Sequence, residues 1–496
     1  MVNAPIALTY GVWTRARRAG EVLCRALVSA GLVATAACSP SKLVDTQSPS
    51  TVADPSLVET ATGAAGLRIE ALQQTFSAVA FGGSSDVMTQ SGMITDELRG
   101  WYYGGYYNPS ASGDDRHTLS LTKDVNVSGY GYGDLQRART ETRYAQQALG
   151  LYGGTASVPR AWEGEMYALE GYTVIWLAEL YCSGIPLSKA SLKGEQIMEK
   201  GSSTQEMFTA AIALFDSALV AGADSAKFVN LARVGKARAL LGLGQFDAAD
   251  SVARDVPTDF LYTLAPSLSG GVRFGMAAIF EPAGAYRVDD HEGGNGLVWS
   301  TDPRTGITTV PDQTGAMLWP AKYNLNPTTG APDPLTPRTN VLFRLADGLE
   351  ARLIQAEAAL KRSDASWLTT LNMLRATCIG TAVCAPIPGI ASNALPALTD
   401  PGTPAARLDT LMKERAMWLY LTGHREGDLR RLAHYYGRAI NTLWPTGTIS
   451  EPPYGDMFQT PGPLNGVPYG SDVVYAPSAS ERANNPLYGG CYDTNP

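Results

Sequence analysis

Six residues between positions 237 and 253 constrain the fold more than any other stretch. Ala237, Leu240, Gly244, Phe246, Ala249 and Ala253 follow the spacing A-x-x-L-x-x-x-G-x-F-x-x-A-x-x-x-A. Small residues at those positions let two helices approach closely, the glycine turns the chain, and the aromatic packs on the preceding helix. This is the spacing of a tetratricopeptide-type hairpin, and it predicts stacked antiparallel helices. Just upstream, Ser203 and Thr204 precede a segment with Glu206 in its first turn, an N-terminal capping pattern.

Helical periodicity extends on both sides. Over 161–181, Met166, Leu169, Thr173, Trp176, Leu177 and Leu180 share one face. Over 341–362, Leu342, Leu345, Leu349, Leu353, Ala356 and Leu360 step by three and four. Further helices are expected at 55–80, 134–150 and 365–376, with a helix pair over 405–434. Elsewhere the period is lost. Residues 99–133, 257–340 and 435–496 read as irregular insertions, the middle one with short strands, and 379–404 as another loop. The chain has 51 Gly, 31 Pro and 23 Tyr, a composition that suits helices carrying long, aromatic-rich loops.

The N-terminus addresses the compartment. Arg15, Arg17, Arg18 and Arg25 precede an uncharged run from Ala26 to Ala37, the length of a secretory signal core and too short to span a bilayer. It ends Thr35-Ala36-Ala37-Cys38. Small residues before a cysteine resemble a lipobox, in which Cys38 is lipidated and becomes the first mature residue; Thr35 stands where an aliphatic is usual. Ordinary cleavage after Ala37, with Cys38 a spare thiol, is the alternative. Acyl chains contribute roughly 0.8 kcal/mol per buried methylene, so such a lipid would hold the protein on a membrane. The expected organisation is a signal peptide at 1–37, a lipidated Cys and polar tether at 38–54, and a single domain at 55–496.

Cys182, Cys378, Cys384 and Cys491 remain once Cys24 and Cys38 are set aside, an even number with three possible pairings. Cys378 and Cys384 are near enough in sequence to close a small loop, which would leave Cys182–Cys491 to tie an early helix to the tail. No CxxC or Cys/His cluster suggests zinc. The formal net charge of −8 argues against a nucleic-acid partner, which needs a basic face.

Catalytic patterns are equally scarce. HExxH, Walker A, G-x-S-x-G and EF-hand spacings do not occur, and His117, His291, His424 and His434 are scattered. Asp96-Glu97 could be read as a glycosidase pair, but adjacent residues seldom face both sides of one bond; a binding or helix-end role suits them better. The conspicuous feature is Trp101-Tyr102-Tyr103-Gly104-Gly105-Tyr106-Tyr107. Five aromatics around two glycines form a surface that is unfavourable to expose unless a ligand or partner covers it. Aromatic faces stack on the C–H faces of sugars, while neighbouring polar side chains satisfy hydroxyls.

Several blocks, in order, resemble the SusD/RagB family. They are the lipobox-like Cys38 with its tether; Thr95-Asp96-Glu97; and Leu177 to Leu187, similar to L-x-x-x-Y-G-D-I-P-L but with Cys182-Ser183 for Gly-Asp. Next come Arg344-Leu345-Ala346, Ala356-Glu357-Ala358 and Leu371-Asn372-x-x-Arg375. The most specific is Glu414 to Arg431, through Leu419, Gly423, Arg425, Asp428, Leu429 and Arg430, with Trp418 and Thr422 at usually acidic positions. Pro477, Glu481 and Asn485-Pro486 match the family's tail.

The resemblance implies a mainly α fold: tetratricopeptide-like hairpins forming a right-handed scaffold with loop-rich insertions, the SusD-like α/α superhelix. It implies an outer-membrane lipoprotein, without cofactor or metal and not an enzyme. Such a protein binds an oligosaccharide or peptide nutrient and delivers it to a SusC-like TonB-dependent transporter. Ligand-binding residues carried over are Asp96, Trp101, Tyr102, Tyr103 and Tyr106, with Trp299, Trp319 and Tyr323 from the middle insertion. Glu414, Arg415, Gly423, Arg425 and Asp428 are expected to be structural, joined by bidentate Arg–carboxylate bonds. A tetratricopeptide-type interaction scaffold in envelope assembly is the alternative function.

Overall fold

In the computed structural model, the described residues are 58–80, 86–100, 116–119, 128–265, 286–288, 296–310, 317–320, 342–377, 395–449 and 466–495. Helices dominate: α1 Ala61–Ala80, α2 Val87–Ile94, α3 Ser128–Tyr152, α4 Ala161–Leu180, α5 Thr204–Ala221, α6 Ala226–Gly242 and α7 Phe246–Arg254. There follow α8 Gly348–Lys361, α9 Ser366–Thr377, α10 Pro404–Trp418, α11 Arg425–Tyr436 and the short α12 Ala479–Asn484. Val58–Pro496 clusters as one compact unit.

The hairpins pack in sequence order, with α3 on α1 and α4, α5 on α4 and α6, and α7 on α6 and α8. α4 is the central element. Met166, Leu169, Trp176, Leu177 and Leu180 are buried as the spacing predicts, but so are Glu165, Glu170 and Glu179 on its other faces. A helix enclosed on all sides has to pair its carboxylates. Glu165 takes Arg68 and the Tyr262 hydroxyl, Glu170 takes Arg143 and Gln146, and Glu179 takes Arg238. Small residues permit the close contacts: a Cβ at Gly171 or Gly235 would lie 2.8 or 2.2 Å from the Phe215 ring.

The 237–253 spacing resolves into the end of α6, a turn at Gly244 with φ of 70°, and α7. At the start of α5 the capping box is complete. Ser203 Oγ accepts from Glu206 N at 3.1 Å, and Glu206 Oε2 accepts from Ser203 N at 2.7 Å.

Two expectations about boundaries change, and one helix is added. The helical reading of 341–362 holds only from Gly348; Phe343–Asp347 forms strand β10, antiparallel to β6 (Leu261–Leu264). Asp347 ends the strand by capping α8, accepting from Glu350 N at 2.8 Å. α3 begins at Ser128, inside the segment read as irregular. Finally α2, too short to show a period, is helical because Asp86 caps it through Thr89 N.

The remaining strands are two-stranded and antiparallel. β2 (Ile185–Pro186) pairs with β5 (Gly201–Ser202), β3 (Lys189–Ala190) with β4 (Gln196–Ile197), and β8 (Ile307–Val310) with β9 (Met317–Pro320). β1 (Leu98–Gly100) pairs with β7 (Tyr286–Val288). Cys182 and Cys491 form a disulfide spanning 309 residues of sequence. Cys378, Cys384 and Cys38 lie outside the described residues.

Candidate functional site

The aromatic segment Trp101–Tyr107, and with it Trp101, Tyr102, Tyr103 and Tyr106, lies outside the described residues, as does Tyr323. Its base is described. β1 runs from Leu98 to Gly100 directly into that segment, and its partner β7 belongs to the middle insertion, with Leu98 opposite Val288 and Gly100 opposite Tyr286. The strand leading into the aromatic segment and the middle insertion are therefore joined by a ladder.

The acidic motif before β1 anchors that strand. Thr95 Oγ1 donates to Ser91 O at 2.7 Å, finishing α2. Asp96 takes a left-handed φ of 57°, turning the chain towards β1. Glu97 Oε1 accepts from Leu421 N at 3.0 Å, and Glu97 O accepts from the Tyr420 hydroxyl at 3.2 Å. Leu421 also has a positive φ, 53°, in the link between α10 and α11. Two strained turns thus meet through one carboxylate.

Trp299 and Asp96 require correction as ligand contacts. Trp299 is fully buried. Its indole Nε1 donates to Asp96 O at 3.1 Å, and its ring lies 4.9 Å from Tyr420. Asp96 is itself 2 % exposed. Both are buried together, and a sequence gives no means of distinguishing a buried tryptophan from one at a rim. Trp319 stands in β9 opposite Thr308.

The C-terminal signature forms a charged cluster. Glu414 Oε2 accepts from Arg304 Nη1 at 2.6 Å, and Glu414 Oε1 accepts from Arg304 Nη2 at 3.0 Å and from Arg375 Nη1 at 2.7 Å. Arg304, from the middle insertion, also holds Asp302 and lies 4.8 Å over the Trp418 ring. The departure to Trp418 therefore supplies a stacking face for this guanidinium. Arg415 bonds both oxygens of Asp428, and Arg431 bridges Asp428 and Glu357. Burial acts to raise the Asp428 carboxyl, but Arg415 and Arg431 outweigh it and hold it far below the usual range. Its hydrogen-bonded partners are these two arginines, whereas Arg425 acts on it through charge at longer range.

Gly423 has φ of 74°, and a Cβ there would sit 2.7 Å from Val87 Cγ1. Its carbonyl accepts from Arg238 Nη2 at 3.1 Å. His424 Nε2 lies 3.1 Å from Glu350 Oε1 and 2.9 Å from Arg238 Nη1, closing a buried network with Glu179.

Glu426 was not singled out from sequence. It is 1 % exposed, and Oε2 accepts from Trp444 Nε1 at 2.9 Å. Burial pushes its carboxyl up to about 8, so it is largely protonated at neutral pH. Among the described residues no group of three or more His, Cys, Asp and Glu could hold a metal ion, and no helix is long and apolar enough to cross a membrane.

Fold and site together define a helical scaffold of stacked hairpins whose middle insertion is tied to a buried ionic cluster. No family model and no curated protein matches the sequence. Solved structures do match. A SusD superfamily protein from Bacteroides vulgatus is 15 % identical with a TM-score of 0.58, over 88 % of this chain and 99 % of that one. A SusD-like carbohydrate binding protein from the same organism is 13 % identical at a TM-score of 0.57, over 88 % and 98 %. A SusD/RagB family protein from Bacteroides thetaiotaomicron is 14 % identical at 0.54, over 86 % and 97 %. The chain has the SusD-like fold.

Proposed function

We propose that this chain is a sugar-binding protein of the SusD/RagB type, held on the outer membrane by lipid on Cys38. It would bind oligosaccharide and deliver it to a SusC-like TonB-dependent transporter, with no reaction of its own. The observation that carries the reading is the β1–β7 ladder, which joins the strand leading into the aromatic segment to the middle insertion, beside the buried Asp96–Trp299 bond. The likeness along nearly the full length of a structure described as a SusD-like carbohydrate binding protein supports the ligand class.

Trp101, Tyr102, Tyr103 and Tyr106 are the proposed stacking residues, with Trp319 and Tyr323 contributing from the insertion. Affinity purification through the tagged protein tests the transporter partnership. Recovery of a large β-barrel receptor in stoichiometric amount is expected; its consistent absence would overturn the delivery role.

A further inference from the structure

The C-terminal end of α4, the first turn of α5, the end of α6, one face of α11 and the tail at Asp493 and Asn495 enclose a cavity of about 270 Å³. At ~30 Å³ per water molecule that is room for a compound of monosaccharide size. None of the described residues that line the cavity belongs to the β1–β7 ladder.

Arg430 forms one wall and is 7 % exposed. Its Nη1 donates to Ala178 O at 2.6 Å and Glu179 O at 2.8 Å, fixing the guanidinium at the C-terminal carbonyls of α4. Among the described residues, Nε and Nη2 have no hydrogen-bond partner and no carboxylate lies within ion-pair distance. The acids nearby are committed: Glu179 to Arg238, and Glu357 and Asp428 to Arg431. The carboxylates of Glu426, Glu179 and Asp493 act on Arg430 through charge, none of them bonded to it among the described residues. Asp493 faces the same cavity from the exposed tail, its Oδ1 holding Asn495 N at 2.9 Å. A largely buried cation whose free N–H groups open on a cavity and carry no bonded counter-ion is favourable to pair with an incoming anion.

The rest of the wall suits a small polar body. Phe208 and Tyr435 supply apolar faces, while Thr204, His434 and Asp493 supply polar groups. The tail wall is fixed in place by the Cys182–Cys491 disulfide, by Ser183 N donating to Asp493 O at 2.9 Å, and by Tyr492 N donating to Ser183 O at 3.1 Å.

We propose that this cavity is a second ligand site, which takes a small hydroxylated carboxylate whose anionic group pairs with Arg430. The probes are D-glucuronate and D-glucose, which share a ring and differ in the carboxylate. Calorimetry on the mature protein is expected to show glucuronate binding at least about tenfold tighter than glucose, one charge-assisted pair being equivalent to that factor or more. Arg430→Gln is expected to remove the preference. Because that substitution also frees the α4 carbonyls, Gln205→Trp, an exposed change at the cavity edge, serves as a second variant and is expected to abolish binding by filling the mouth. Gln205→Trp is expected to leave oligosaccharide binding at the proposed stacking site unchanged, which separates the two sites. No glucuronate binding, equal binding of glucose, or full binding by Gln205→Trp would overturn the assignment.

Discussion

The indole of Trp299 donates to the main-chain oxygen of Asp96 at 3.1 Å, joining the middle insertion to the turn that launches β1. Trp299→Phe keeps an aromatic ring in the buried site, with some loss of volume, and leaves a buried carbonyl without that donor. A loss of about 1–3 kcal/mol is expected in urea unfolding. Unchanged stability would mean that the bond does not secure the turn.

Glu414 is held by Arg304 from the insertion and Arg375 from α9, with Arg304 and Glu414 side chains 1 % and 3 % exposed. Removing one member of a buried pair strands the other. Arg304→Met is expected to cost about 3–5 kcal/mol. The double variant Arg304→Met with Glu414→Met is expected to recover part of that loss, a coupling that a double-mutant cycle measures directly.

Glu426 gives the pH dependence a sign. Its folded carboxyl sits at about 8 against an ordinary value of 4.5, because burial penalises the charged form. The folded state therefore binds more protons than the unfolded state between those values. This group's contribution is full below about 4.5 and declines as pH rises through about 8. Glu426→Gln keeps an acceptor for Trp444 and cannot ionise, so unfolding free energies measured across that interval should fall less with pH than in the parent. Parallel curves would refute the neutral-acid reading.

The Cys182–Cys491 disulfide anchors the tail beside α4. Cys182→Ser with Cys491→Ser is expected to destabilise by about 2–4 kcal/mol, mainly by releasing chain entropy in the unfolded state. Chemical denaturation of the double variant, compared with the parent whose disulfide is intact, checks this.

The helical scaffold was legible because its signals are local. The Ala237–Ala253 spacing, the Ser203–Glu206 box and the periodic face of α4 each depend on residues a few positions apart. The carboxylate–arginine character of the signature was legible too, but its partners were not: Glu414 finds Arg304 110 residues away. Long-range partnership also explains Trp299, whose composition and setting matched a loop aromatic while its burial depends on Asp96 and Tyr420. The Leu342–Leu345 steps mimicked a helical face in a strand because β10 is set by pairing with β6 rather than by its own period. The departure to Cys182-Ser183 has a structural reason that only the fold reveals. The cysteine bonds the tail, and Ser183 Oγ lies 2.9 Å from Thr204 Oγ1 at the start of α5.

Oligosaccharide binding by the mature protein and its Trp101→Ala variant tests the central claim most directly. A glycan array identifies the tightest oligosaccharide, and calorimetry then compares the two proteins at equal stability. The expected result is saturable binding by the parent and a loss of at least about tenfold in the variant, the effect of one removed aromatic stacking face. Failure of the parent to bind any glycan, or identical affinity in the variant, would contradict it.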